Sequence, residues 1–231
     1  MMGTETPEAD GLTFAHDGAE CFRSVLSASD LRAIEEAVAE LPPDQAGIRL
    51  HGITALRRFL TSSGIVGAIA ASVLGEQCHP VRAILFDKTP ATNWSLTWHQ
   101  DRTIAVEQRI EVSGFGPWTV KNGLVHVAPP FELLASMVTL RVHLDAVPAT
   151  NAPLLIAPGS HRHGRIPEAE IPQVVKQCGT KACLADARDI WLYATPILHA
   201  SEAAIEPTHR RVLQVDFAVG ILPGGLRWLG I

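Results

Sequence analysis

The sequence predicts a mainly β domain, a sandwich or barrel, with helices packed against one of its sheets. Amphipathic segments with helical spacing are confined to the first third of the 231 residues, and short apolar runs separated by proline and glycine follow Pro80. No helical pattern intervenes between those runs, which argues against a βαβ array. Apolar residues make up 47% of the chain, which is enough for a buried core and argues against general disorder.

The first predicted helix begins at a cap formed by Ser29 or Asp30 and continues to Leu41, where Pro42-Pro43 ends it. Its apolar residues share one face: Leu31, Ile34, Val38 and Leu41. A second helical stretch, over about residues 54–74, is rich in small residues, breaks near Gly64 and ends at Gly75. Both helices need a sheet to cover their apolar faces.

Six short apolar runs are the predicted strands: 81–86, 96–98, 136–144, 154–157, 190–194 and 212–219. Two long interruptions, 102–130 and 160–189, must be functional or hold some local structure. The helices are too small to stand alone. We therefore expect one domain over residues 1–231, helix-rich over about 1–78 and with its β core over about 80–220.

Charge and composition exclude several classes of protein. The net charge of −5 argues against nucleic-acid binding, and no apolar run reaches the 18 residues of a membrane span. The chain begins without the pattern of a signal peptide, and its four cysteines are too scattered for a disulfide framework, so a cytoplasmic location is expected. Ten histidines suggest metal or proton chemistry.

The segment Trp98-His99-Gln100-Asp101 is the strongest candidate for chemistry. Residues i and i+2 of a strand point to the same side, so His99 and Asp101 can present an imidazole and a carboxylate to one point. A second histidine would complete the two-histidine, one-carboxylate triad of non-haem iron(II) oxygenases, and the best candidate is His199. An isolated HxD pattern, by contrast, is usually an exposed pair at a strand end.

Arg210 opens an apolar strand shortly after His199. A hairpin through residues 202–208 would lay that strand beside the one carrying His199, where an arginine can bind a carboxylate in a fork of two hydrogen bonds. A dicarboxylic acid that chelates a metal at one end needs such a clamp at its other end.

Strand alternation decides between Arg210 and Arg211, because only one of two adjacent residues can face a cavity. Arg211 shares its side with apolar residues that helices can cover: Leu213, Val215 and Phe217. Arg210 shares the other side with Gln214. Taken alone, the apolar side looks like the core face and favours Arg211. If helices cover that side, Arg210 is left to line a polar cavity and is the better candidate for the clamp.

Further short motifs accompany these residues along nearly the whole chain. In chain order they are FAHDGA at 14–19, Lys88, TLRVHLD at 139–145, NAPL at 151–154 and APGSH at 157–161. With WHQD, His199 and Arg210, they resemble the phytanoyl-CoA dioxygenase family of iron(II)- and 2-oxoglutarate-dependent oxygenases. The first motif is similar to that family's N-terminal strand and its DG turn. The pieces are short, but their order and spacing are jointly specific.

The resemblance implies a double-stranded β-helix, a jelly-roll or cupin-like core with the N-terminal helices packed on one sheet. It implies iron(II) at His99, Asp101 and His199, with 2-oxoglutarate chelating the iron and reaching Arg210, and O2 as the other co-substrate. Two turns depart from the family pattern, because Ala152 and Arg188 stand where glycine is usual. These departures concern loop geometry more than chemistry.

Two further cations are candidates for the 2-oxoglutarate site. Lys88 is similar to a family position near the co-substrate, although a solvated loop lysine is the alternative. Arg141 can contact 2-oxoglutarate or substrate, or else form an internal ion pair with Asp145 or another acid. Candidate substrate contacts lie in the long segment after the first ligands, which is otherwise an ordinary loop: Trp118, Lys121 and His126.

The predicted activity is hydroxylation of a small organic molecule, with release of succinate and CO2. Desaturation, cyclisation or epimerisation on the same iron is one alternative, and a cupin-like metal-binding module without redox activity is another. The family name is no evidence for an acyl-CoA substrate.

Overall fold

The structure, a computed structural model, describes residues 11–42 and 45–231. In this part of the chain, thirteen strands form three antiparallel sheets: β1 (Ala19–Phe22), β2 (Gly47–Leu50), β3 (Cys78–Lys88), β4 (Leu96–His99), β5 (Ile104–Val106), β6 (Trp118–Lys121), β7 (Leu124–Val127), β8 (Val138–His143), β9 (Leu154–Ile156), β10 (Lys181–Cys183), β11 (Ile190–Ala194), β12 (His199–Ser201) and β13 (Arg210–Val219). The α-helices are α1 (Phe14–Asp17), α2 (Ala28–Val38), α3 (Arg57–Leu60), α4 (Gly67–Leu74), α5 (Phe131–Ala135) and α6 (Ile171–Cys178).

Two sheets pack face to face and form the jelly-roll core. The larger has the order β1-β11-β8-β13-β3-β2, and the smaller has the order β10-β9-β12-β4. Apolar side chains from both sheets fill one end of the space between them, including Ile156 of β9 and Trp191 of β11. This architecture confirms the predicted fold class, and all six predicted strands are present.

The helices cover the outer face of the larger sheet, as predicted. Ile34 and Val38 of α2 and residues of α3 and α4 pack against apolar side chains of β8 and β13. The apolar face of β8 comprises Val138, Leu140 and Val142, and that of β13 comprises Leu213, Val215 and Phe217. Burial of these faces against helices leaves the alternate residues of both strands for the space between the sheets.

The boundaries of α2 differ from the prediction. Its cap is Ser27, whose hydroxyl accepts from the Asp30 amide while the Asp30 carboxylate accepts from the Ser27 amide. Asp30 therefore takes the third helical position of a capping box rather than the cap itself. The helix ends at Val38 instead of Leu41, and Pro43, part of the predicted stop, lies outside the described residues.

The second helical stretch has the predicted break and end. A 3-10 turn (Thr54–Leu56) and α3 precede the break, and α4 follows it and ends before Gly75. A Cβ atom at Gly64 would lie 2.5 Å from the carbonyl oxygen of Arg58. The chain can fold back this closely only because the residue is glycine.

The start of the described chain is only partly as expected. Residues 14–17 form α1 rather than a strand, and Gly18 ends this helix at a φ of 72° before β1 begins. A Cβ atom at Gly18 would lie 2.2 Å from Nδ1 of His161, so the close approach also requires glycine. The turn was predicted correctly, and the strand begins after it.

Both long interruptions hold local structure. Segment 102–130 forms a three-stranded sheet of β5, β7 and β6, and segment 160–189 contains α6 and β10. The remaining unpredicted strand, β2, lies at the edge of the larger sheet, within the part read as helix-rich. None of the helices in the described ranges combines the length and apolar character needed to cross a bilayer.

Candidate active site

A cavity of about 1120 Å³ opens at the polar end of the space between the two sheets. The larger sheet contributes side chains of β2, β3, β8 and β13, and the smaller sheet contributes those of β4, β9 and β12. Both long segments add walls, through Lys121 of β6 and through Ile171 and Val175 of α6. Segments 102–130 and 160–189, which interrupt the strand pattern in the sequence, therefore complete the walls of the cavity.

His99 and His199 lie side by side on neighbouring strands of the smaller sheet. They are register partners of β4 and β12, and their ring centroids are 4.3 Å apart. The carbonyl oxygens of Thr97 and Ile197 each lie within 2.9 Å of a histidine Nδ1 and accept a hydrogen bond from its N–H. This tautomer leaves both Nε2 atoms as electron-pair donors. Burial lowers the pKa of His199 to about 4, which keeps its ring neutral.

Asp101 follows β4 and points to the same place as His99. Burial is the largest single influence and disfavours its ionisation, but the Arg82 guanidinium, 3.0 Å away, together with His199 and His99, holds the pKa of the carboxyl below its usual range. Arg82 also binds Asp216 on β13, so one buried guanidinium joins the two sheets. Asp101 is therefore an oriented carboxylate at neutral pH.

These three residues fit a mononuclear metal ion. One ligand atom from each can be chosen so that all three lie within 4.8 Å of one another, and two neutral imidazoles with one carboxylate are the donor set of non-haem iron(II) sites. In the described ranges this is the one group of metal-binding side chains of this kind. The hydrogen bonds to both histidines and to Asp101 pre-orient the donors, as in established metal sites.

Arg210 and Arg141 approach the same cavity from the larger sheet. Arg210 is buried and donates from its guanidinium to the Ala152 carbonyl, while its Nε has no partner. Burial, and after it the charge of Arg141, lowers the pKa of Arg210 to about 9. Arg141 donates to Gln214 at 2.8 Å, and its Nε is also unpartnered. The two cations can receive an anionic group.

The model of the phytanoyl-CoA dioxygenase (PhyH) family matches residues 14–212. The chain belongs to the phytanoyl-CoA dioxygenase family. Membership makes it an iron(II)- and 2-oxoglutarate-dependent oxidoreductase with O2 as co-substrate, and it does not support the alternative of a module without redox activity. No match was found among curated proteins.

Solved structures of iron and 2-oxoglutarate enzymes share the fold of this family member. EctD from S. alaskensis with bound Fe has a TM-score of 0.67 at 18% identity, covering 98% of this chain and 83% of its own. HygX from Streptomyces hygroscopicus with nickel and 2-oxoglutarate bound has a TM-score of 0.62 at 12% identity, and the match covers 89% of this chain and 84% of HygX. SnoN, a non-heme alpha ketoglutarate dependent epimerase from nogalamycin biosynthesis, has a TM-score of 0.64 at 14% identity, and the match covers 92% of this chain and 87% of SnoN.

Within this family fold, Arg211 lies on the opposite face from Arg210. Its guanidinium binds Asp145 at 2.7 Å and Glu35 of α2 at 2.8 Å. Asp145 is thus occupied by Arg211. Among the described residues, the alternative of an ion pair between Arg141 and Asp145 is not found, and Arg141 binds Gln214 instead.

The predicted hairpin between the strands of His199 and Arg210 is wrong. β12 pairs with β4 and β9, whereas β13 pairs with β3 and β8 in the other sheet. The connection crosses between sheets, as a jelly roll requires, so Arg210 faces the triad across the cavity instead of lying beside it.

Lys88 is buried next to this region but is not among the residues that line the cavity. Its ammonium donates to Ser201 Oγ at 3.0 Å and to the Glu202 carbonyl at 2.6 Å, and it lies 4.9 Å from the centre of the Trp94 ring. Burial, followed by the charge of Arg210, lowers its pKa to about 8. It is a buried link between the sheets and not a solvated loop lysine.

The three candidate substrate contacts lie at different depths. Lys121 lines the cavity, whereas Trp118 packs at the margin of the apolar cluster around the three-stranded sheet, below Arg109. His126 is buried behind Lys121, its Nδ1 donates to the Leu124 carbonyl, and its Nε2 has no partner. The structure therefore exposes only Lys121 of the three directly to the cavity.

Sequence reasoning missed Arg49 and Arg82, which both line the cavity. A signal for Arg82 existed, because an arginine within the apolar run 81–86 must find buried partners. Arg49 lies on the unpredicted strand β2. Gln100 lies between His99 and Asp101 in the sequence, and its side chain binds the backbone of Gly164, Ile166 and Pro196.

Proposed function

We propose that this enzyme hydroxylates a small organic molecule, with His99, Asp101 and His199 as the iron ligands and Arg210 as the partner of the distal carboxylate of 2-oxoglutarate. The observation that carries the proposal is the triad in one wall of a cavity whose opposite wall presents Arg210 and Arg141. Bound iron would couple conversion of 2-oxoglutarate and O2 to succinate and CO2 with oxidation of the substrate.

The protein groups have separate tasks in this proposal. The backbone carbonyls behind both histidines fix the ring orientation, and Arg82 keeps Asp101 ionised and in place. Arg210 supplies a fork for one carboxylate, and Arg141 adds a second positive charge beside it. Lys88 lies outside the cavity and positions β12, the strand of His199, through its hydrogen bond to Ser201.

The cavity walls and the domain organisation complete the proposal. Gln100 ties β4 to the chain near Gly164, at the start of the segment that supplies α6 as a wall. These walls would shield the reacting centre from bulk water. Residues 1–231 would then act as one oxygenase domain, because helices, sheets and both inserted segments all contribute to one core or one cavity.

Replacement of Asp101 by asparagine tests the assignment. Asparagine keeps the shape of the side chain but removes the only negative charge that the triad offers to a dication. We expect Asp101→Asn to lose iron(II) binding and iron-dependent succinate formation while its circular dichroism spectrum stays that of the wild type. Asp186→Asn, which alters an exposed aspartate, is the matched control. Succinate formation near the wild-type rate in Asp101→Asn would refute the proposed metal site.

The mass of the product distinguishes the oxidative outcomes. Hydroxylation adds one oxygen atom to the substrate, desaturation or cyclisation removes two hydrogen atoms, and epimerisation leaves the mass unchanged. Halogenation is disfavoured because Asp101, as an iron ligand, would take a coordination position that a halide would need. Mass spectrometry of the converted substrate, run beside succinate detection, would separate these reactions.

A further inference from the structure

The cavity holds more positive charge than the co-substrate requires. Six cationic side chains line it, against two carboxylates, Asp101 and Glu168: Arg49, Arg82, Arg102, Lys121, Arg141 and Arg210. Arg82 is paired with Asp101 and Asp216, and Arg102 contacts Glu168 at 3.5 Å. Four cations therefore remain without a carboxylate partner among the described residues.

These four cations form two separate pairs. Arg141 and Arg49 occupy the same row of the larger sheet, but Gln214 and Ile84 lie between them in register. Three interstrand spacings separate the two arginines, which is roughly 14 Å. After burial, Arg141 is the main charge that lowers the pKa of Arg210, whereas Arg49 is the main charge that lowers that of Lys121.

The pair of Arg49 and Lys121 has no partner of its own. Neither side chain makes a hydrogen bond or ion pair with any residue in the described ranges, and the Nε of Arg49 is buried without an acceptor. His126 lies on the same side of the three-stranded sheet as Lys121, is fully buried, and leaves its Nε2 unpartnered. Arg49 is half-buried and Lys121 is exposed. Two cations side by side repel each other, and an anion bound between them would relieve that repulsion.

The second pair also lies close to the reacting centre. Asp101 acts electrostatically on both Arg49 and Lys121, and both line the cavity that contains the triad. A single 2-oxoglutarate molecule that chelates the iron and reaches Arg210 accounts only for the pair of Arg210 and Arg141. The pair of Arg49 and Lys121 is therefore free to bind another molecule in the same cavity.

We propose that Arg49 and Lys121 bind an anionic group of the substrate, a carboxylate or a phosphate, and so make this enzyme selective for anionic organic molecules. The inference rests on the proposed function, since it places the substrate beside the proposed iron site. Arg49 offers a planar fork that suits either oxyanion, and Lys121 offers a movable charge at the mouth of the cavity. The anion would fix which C–H bond faces the triad.

The test uses inorganic phosphate and acetate as probes, titrated by calorimetry into the anaerobic enzyme loaded with iron(II) and 2-oxoglutarate. We expect saturable binding of at least one probe, and the comparison tells a phosphate preference from a carboxylate preference. Arg49→Gln should weaken that binding by about ten- to hundredfold, because it removes charge-assisted hydrogen bonds, and Lys121→Gln by a smaller factor. Arg109→Gln, which alters an exposed arginine paired with Glu111 on the same segment, should bind as the wild type does.

The outcomes separate this inference from the proposed function. The visible band formed on anaerobic addition of iron(II) and 2-oxoglutarate should be the same in Arg49→Gln and wild type. If that band forms but neither probe binds, or if Arg49→Gln and Lys121→Gln both bind like the wild type, the anion site is refuted. If the band is missing while Arg49→Gln still abolishes probe binding, the proposed function fails and the anion site stands. Because Lys121 is exposed, its variant gives a result even if Arg49→Gln does not fold.

Discussion

Arg210 and Arg211 are adjacent residues on opposite faces of one strand. Arg210 is buried in the cavity wall, whereas Arg211 binds Asp145 and Glu35 under the helices. We expect Arg210→Lys to weaken 2-oxoglutarate binding by about ten- to hundredfold, because lysine keeps the charge but loses the planar fork. Arg211→Lys should leave that affinity unchanged. Titration of the visible band under anaerobic conditions measures both, and a larger loss in Arg211→Lys would contradict the assignment.

His143 provides a test of the charge in the cavity wall. It is buried on the same side of β8 as Arg141, and neither ring nitrogen has a hydrogen-bond partner among the described residues. Burial, followed by the charges of Arg141 and Arg210, holds its pKa well below the ordinary value. The ring is thus neutral in the folded protein but binds a proton below about pH 6.5 when unfolded. Stability should therefore fall as the pH drops below that value.

Replacement of His143 by leucine should remove this part of the pH dependence. Between pH 7.5 and pH 5.5 the wild type should lose more of its unfolding free energy than His143→Leu does, because only the wild type has a group that gains a proton on unfolding over this range. Urea unfolding at both pH values measures the difference. Identical losses in the two proteins would mean that His143 is protonated to the same extent in the folded and unfolded states.

The residues that sequence reasoning identified are those with a local pattern or a family motif. His99 and Asp101 share a side because strand alternation places i and i+2 together, and the same alternation separates Arg210 from Arg211. Arg49 carries no such signal, because it becomes part of the site only through the pairing of β2 with β3. Its contribution depends on contacts between distant segments, which a single sequence does not display.

At the level of elements, the two turns without the usual glycine carry strain. Ala152 has a φ of 51° and Arg188 a φ of 82°, so both adopt the left-handed conformation that glycine would favour. We expect Arg188→Gly to raise the unfolding free energy by about 0.5–1 kcal/mol, since relief of about 1–2 kcal/mol of strain exceeds the entropy cost of glycine. Thermal or urea unfolding checks this.

The neighbouring residue supplies the control for that prediction. Ala187 is not among the described residues with positive φ, so Ala187→Gly gains no relief and should lower stability by about 0.5–1 kcal/mol. Equal effects of glycine at 187 and 188 would contradict the assigned strain. The Ala152 carbonyl accepts from Arg210, so the second strained turn also helps to position the clamp.

Element type was predicted better than element pairing. The apolar runs gave six strands of the two core sheets, because burial in a sheet leaves a strong periodic signal: β3, β4, β8, β9, β11 and β13. The hairpin after His199 was predicted wrongly, because sequence proximity favours pairing of successive strands and the jelly roll instead sends them to opposite sheets. The strands β5, β6 and β7 form a small separate sheet with weak individual patterns, and were therefore read only as a long segment.

On the scale of the whole molecule, the proposed ligands would join the two sheets. The triad belongs to the smaller sheet and Arg210 to the larger, so iron(II) with 2-oxoglutarate would connect them. At a fixed free ligand concentration of 100 times the wild-type Kd we expect about 2.7 kcal/mol of added stability in the wild type, or a rise in Tm of about 5–10 °C. Anaerobic scanning calorimetry measures it. Arg210→Lys should show a smaller shift than Arg211→Lys, and a full shift with the metal alone would contradict the bridge.

The location of Arg49 bears on how such a scaffold can acquire new specificities in evolution. β2 is an edge strand and Lys121 belongs to an inserted sheet, whereas the triad and Arg210 belong to the paired strands of the core. A substitution or insertion at the edge disturbs hydrogen bonding on one side only, and leaves the oxidising machinery intact. Lineages that change β2 and the segment around residues 102–130 can therefore exchange substrates while they inherit the same reaction.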